Sequence, residues 1–97
     1  MSNSNQPPIH PGEVLYKRYF KPRGLSITDA AKKLLITRSN LSAIINGQAN
    51  LSVLMALKLA KSFKTTPKYW MDLQVAYDFW RIAQRDKKIL SKVGLFA

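Results

Sequence analysis

Between Ile27 and Asn46 the chain reads ITDAAKKLLITRSNLSAIIN, and no other run limits the fold as much. Two helix starts are written into it. Ser26 stands three residues before Asp29, pairing a capping hydroxyl with an acid of the first turn, and Thr37 supplies a second cap. The second helix stops at Asn46-Gly47, because glycine takes a left-handed backbone without steric cost. The first helix is barely two turns long. Ala30, Ala31, Leu34, Ile36, Leu41 and Ile44 fall where two crossing helices face each other and the core, with the small Ala31 at the closest crossing. That leaves Arg38, Ser39, Ser42, Ala43 and Asn46 pointing outward from the second helix.

The rest of the chain reads as further short helices, with no alternating β-branched pattern, internal repeat or low-complexity segment. Residues 1–11 are polar and carry Pro7, Pro8 and Pro11, so a flexible N-terminal arm is expected there. The folded domain is expected over 12–84 and a basic extension over 85–97. A helix from Glu13 to Phe20 is stopped by Pro22 and Gly24. After the paired helices, Ser52 caps a fourth, on which Val53, Ala56, Leu57, Ala60 and Phe63 form the expected core stripe, with Lys58, Lys61 and Lys64 away from it. Thr66-Pro67 opens a fifth helix reaching about Ala83, since proline is welcome at the first helical position. Between Tyr69 and Ala83 only Asp72, Gln74, Asp78 and Arg81 are polar, and the last three share one narrow stripe. A helix resting on a single core needs an apolar arc of only about 100°. This arc is far wider, so the helix needs two partners. Phe79, Trp80 and Ile82, late on it and farthest from the core, are the residues expected between two copies of the chain. The fold class is all-α, with five helices.

Sixteen Lys and Arg against five Asp and Glu give a net charge of +11, which seeks polyanions. Composition alone leaves nucleic acid, anionic lipid and acidic proteins open. The second short helix points to double-stranded DNA, because such a pair sends it into a major groove about 12 Å wide. Thr37, Arg38, Ser39, Asn40, Ser42, Ala43 and Asn46 are the expected DNA-binding residues. Arg38 can grip guanine with two hydrogen bonds, Ser39 and Ser42 offer donors and acceptors, and the Asn46 amide can reach phosphate. Thr37 is a cap first and a phosphate ligand second. Lys32, Lys33, Lys58, Lys61 and Lys64 read as a solvated basic face that phosphates can meet. With no cysteine, disulfides, thiolate nucleophiles and thiolate metal sites are excluded. His10 stands alone in the expected arm, so no metal site, no cofactor and no catalytic residue is expected. No targeting signal and no membrane span is visible, which implies a cytoplasmic protein.

The stretch from Ile27 to Asn46 resembles the lambda-repressor-like helix-turn-helix family, and the wider frame resembles its HigA-type antitoxin branch. The resemblance runs from His10 to about Arg85, on HPGEVL, GLS, ING, LSVLMALKLAKSF and TPKYWMDLQVAYDFWR. It implies a homodimer that binds an inverted-repeat operator in its own promoter, and a small toxin partner that cleaves messenger RNA on the ribosome. Two positions depart from the family. Ile27 replaces the usual glutamine that contacts phosphate, and Leu35 replaces the glycine of the turn. If the backbone at Leu35 is left-handed, the side chain costs roughly 1–2 kcal/mol. The alternatives are a free-standing regulator of the same fold without a toxin and, from another class, a basic amphipathic protein of the membrane surface.

Overall fold

The computed structural model describes residues 6–96, so residues 1–5 of the expected arm and Ala97 lie outside the described residues. Order begins earlier than the proline pattern implies. His10 is buried and accepts a hydrogen bond from the Gly12 N–H through Nδ1 at 2.9 Å, capping a helix that opens at Pro11. The arm expected to include His10 and Pro11 therefore gives way to structure before them. Proline at the first helical position has no N–H to leave unpaired, which is why the same residue that argues for an arm also starts a helix.

Helix α1 (Pro11–Val14) runs on into a π-helical stretch, Leu15–Phe20, and a 3₁₀ turn, Lys21–Arg23. Gly24 ends it in a left-handed conformation, φ 62°. Helix α2 is Ile27–Leu34, α3 is Arg38–Ile45, α4 is Val53–Phe63 and α5 is Pro67–Arg85. Ser26, Thr37, Ser52 and Thr66 each accept a hydrogen bond from an N–H of the turn they open, at 3.1 Å in all four cases. Each satisfies a donor that the helix cannot use internally. The described residues are all-α, with one helix more than expected. Asp86 separates α5 from a short α6 (Lys87–Lys92), which occupies the start of the basic extension.

The core is built by Val14, Leu15 and Phe20 from the first helix, Ala30, Ala31 and Leu34 from α2, and Leu41 and Ile44 from α3. Leu51 of the α3–α4 loop, Met55, Ala56 and Leu59 of α4 and Trp70 of α5 complete it. The faces expected to join α2 to α3 are thus the ones that do. On α4 the expectation holds at Ala56, Ala60 and Phe63 and fails at the other two positions. Val53 and Leu57 are 62% and 51% exposed, and the buried stripe is Met55, Ala56, Leu59 and Ala60. The run VLMALKLA is apolar at nearly every position, so two overlapping stripes share both alanines and periodicity cannot choose between them. The rotation taken brings Lys58 within reach of the turn between α2 and α3.

Helix α5 turns its polar stripe toward the protein. Gln74 is buried, its Oε1 accepting from the Leu51 N–H at 2.7 Å and its Nε2 donating to Asn50 Oδ1 at 3.3 Å and Asp78 Oδ1 at 3.0 Å. Arg81 donates to Asp78 at 3.2 Å. These bonds hold the α3–α4 loop against α5. Beyond Asp78 the helix overhangs the core, leaving Phe79 74% exposed and Trp80 and Ile82 exposed as well; Val75, one turn before Phe79, is also exposed.

Candidate nucleic-acid interface

The turn between α2 and α3 rests on Leu35, whose backbone is left-handed at φ 54°, ψ 50°. Its side chain is 82% exposed, so no packing offsets the strain. The backbone is nevertheless well bonded. The Ile36 N–H donates to the Ala31 carbonyl at 3.1 Å, and Lys58 Nζ donates to the Leu35 carbonyl at 2.9 Å, pinning α4 to the turn. The expected glycine geometry is present, filled by leucine.

Helix α3 leaves this turn with Thr37 as its cap and Arg38 as its first residue. The Thr37 hydroxyl accepts from the Asn40 N–H. Arg38 is exposed and its Nε donates to Thr28 Oγ1 on α2 at 2.9 Å. That bond braces the guanidinium across the two helices and leaves its terminal nitrogens available. At about 100° per residue, Arg38, Ser42, Asn46, Ser39 and Ala43 lie within an arc of about 140° opposite the buried Leu41 and Ile44. Asn46 Nδ2 donates to Ser42 Oγ at 3.3 Å, so these two side chains already share a bond along the arc. Asn40 stands apart. It lines a cleft between α3 and α4 with Ile36, Leu54 and Lys58, away from the residues expected to act with it.

Two residues that the sequence reading did not assign to this site fix its far end. A Cβ on Gly12 would lie 1.8 Å from the Ile44 carbonyl oxygen, so the first turn of α1 touches the backbone of α3 and admits no side chain there. His10 packs edge-on against Tyr77 of α5, ring centroids 4.9 Å apart, and against Gly47 just beyond α3. Burial lowers its pKa below the ordinary histidine value, opposed by the Ala49 carbonyl and the Asp78 carboxylate. Thr28 is a third omission. It is the second residue of α2, and nothing in its sequence neighbourhood signals a partner ten residues on. Of the three residues expected between copies, Phe79 and Ile82 share a groove with Val75 and Leu90, whereas Trp80 lines a different one beside His10 and Tyr77.

A short capped helix held by its neighbours, with an open polar arc, a braced arginine at its leading end and a basic body behind it, defines a DNA-binding helix-turn-helix protein of the lambda-repressor-like class. The helix-turn-helix family profile matches residues 17–70. An uncharacterised HTH-type transcriptional regulator of Escherichia coli K12, YbaQ, is 38% identical over 82 residues, 84% of this chain and 73% of its own. The structure of an addiction module antidote protein of the HigA family from Coxiella burnetii superposes with a TM-score of 0.85 at 38% identity, covering 94% of this chain and 100% of the other. Antitoxin GraA in complex with its operator gives a TM-score of 0.87 at 31% identity, over 100% of this chain and 98% of its own. The chain belongs to the XRE-type helix-turn-helix family, in its HigA-like antitoxin branch. It is a family of DNA-binding regulators, not of enzymes. No helix among the described residues is long and apolar enough to cross a membrane.

Proposed function

We propose that this protein is the antitoxin of a type II toxin-antitoxin pair, a cytoplasmic homodimer that represses its own operon through an inverted-repeat operator and holds a small mRNA-cleaving toxin. The observation that carries the DNA half is the polar arc of α3, led by Arg38 in its brace on Thr28. Arg38 reads a guanine, while Ser39, Ser42 and Ala43 face base edges. Asn46 and the Thr37 end of the helix meet phosphate, and Asn40 contributes from the flank of the arc. Phe79 and Ile82 form the centre of the dimer contact with Trp80 at its margin, and dimerisation sets the two α3 helices about 34 Å apart.

The test is fluorescence anisotropy on the DNA upstream of the protein's own gene. Arg38→Ala is expected to weaken operator binding by about 1–3 kcal/mol and binding to random DNA by less. Equal losses on both would assign Arg38 to the phosphate backbone. The net charge of +11 favours a second reading, a free-standing regulator, because it opposes capture of a basic toxin. Co-purification with the product of the adjoining gene separates the two. A neighbour encoding a small ribonuclease that co-elutes supports the antitoxin reading, and the lack of one favours the regulator.

A further inference from the structure

A cleft of about 540 Å³ opens between the end of the first helix, the second half of α2 and the end of α4. It shares no residue with the outward arc of α3 and lies apart from the α5–α6 groove. Leu25, Leu34 and Phe63 give it an apolar floor, while Arg23, Lys33 and Lys64 line its rim. No acidic residue lines it, and among the described residues none of these three cations has a carboxylate partner.

The rim is not a row of free surface lysines. Arg23 lies over the rings of Phe63 and Tyr19, 5.2 and 5.6 Å from their centroids, and its Nη1 donates to the Tyr19 carbonyl at 3.1 Å. A guanidinium held in this way loses little freedom on gaining another partner. Lys64 sits at φ 54° and Gly24, next to Arg23, at φ 62°, so a left-handed residue shapes each side of the opening. A solvated basic face needs neither an apolar floor nor a fixed arginine. A ligand site of about 300–1,000 Å³ has both features, a mostly apolar lining with a few placed polar groups.

We propose that this cleft binds a small molecule with an apolar body and one anionic head, carboxylate, sulfonate or phosphate ester. The body covers Leu25, Leu34 and Phe63, and the head meets Arg23, Lys33 and Lys64. Because Ala30, Lys33 and Leu34 belong to α2, the ligand rests directly on the first helix of the DNA-binding pair.

Decanoate titrated into the full-length, ¹⁵N-labelled protein at low salt tests this, with decylammonium as the control of opposite charge. The expected result is a saturable set of amide shifts centred on residues 23–25, 30–34 and 62–64, absent with decylammonium. The double variant Lys33→Glu, Lys64→Glu is expected to bind about tenfold more weakly, the sum of two exposed charge contacts. Both positions are exposed, and Arg23→Gln offers an independent loss of the same head-group contact. The proposal is overturned by any of four results: no saturable shift, shifts centred on Val75 to Leu90, equal binding of decylammonium, or unchanged affinity in both variants.

Discussion

At Leu35 the chain carries strain that buys no packing, since the side chain is exposed and the backbone is left-handed. Replacing it with glycine removes a clash of roughly 1–2 kcal/mol and returns about 0.5–1 kcal/mol to the unfolded chain as entropy. Leu35→Gly is therefore expected to raise stability by about 0.5–1 kcal/mol in urea unfolding without altering operator affinity, and a loss of stability would contradict the geometry. His10 works in the opposite sense. Its Nδ1 must stay unprotonated to accept from Gly12, and burial lowers its pKa in spite of Asp78 and Glu13, with Arg81 adding to the lowering. As pH falls through about 6.5 the unfolded chain takes up the proton first, so stability is full above that value and lost below it. His10→Asn keeps a capping side chain and removes the titration. It is expected to lose less stability than the parent between about pH 7.5 and pH 5.5, and equal losses would dissociate His10 from the effect. The two residues also divide what sequence can reveal. Leu35 was legible because a turn of known geometry expects glycine, whereas a lone histidine beside prolines carries no local sign that the folded chain will close over it.

Among the elements, α2 and α3 were legible in full because caps, a glycine stop and alternating small and large apolar residues all agree. Arg38, Ser39, Ser42 and Asn46 share a face for the same reason: once Leu41 and Ile44 of α3 are buried, the positions opposite them are determined. Helices α4 and α5 were less so. An all-apolar first turn left α4 free to rotate, and nothing in the polar stripe of α5 signals that Gln74 is buried. Its partner is a backbone N–H in a loop twenty-three residues away, at Leu51, a contact that no helical period encodes. Gln74→Leu is expected to cost about 1–3 kcal/mol in urea unfolding, because it strands the buried Leu51 donor. A neutral outcome would mean that another acceptor takes its place.

As a whole the molecule measures 53 × 30 × 22 Å, longer than a compact body of this size needs, because α5 and α6 project from it. The exposed apolar residues Val75, Phe79, Ile82, Ile89 and Leu90 all lie on that projection. Phe79→Asp is expected to give a folded monomer by sedimentation and to weaken operator binding by roughly 10²-fold or more, because two linked half-sites become two separate ones. A monomeric parent that already binds a palindrome tightly would refute the assignment. The projection has a further consequence, for how long each molecule lasts. A helical end with no core behind it opens locally at little cost, and an opened end is what a protease cuts. In the dimer proposed above, paired protomers would close that end, while solitary ones would leave it open to cleavage. On that proposal turnover would be fastest when the protein is scarce, so its abundance would fall more steeply than its synthesis.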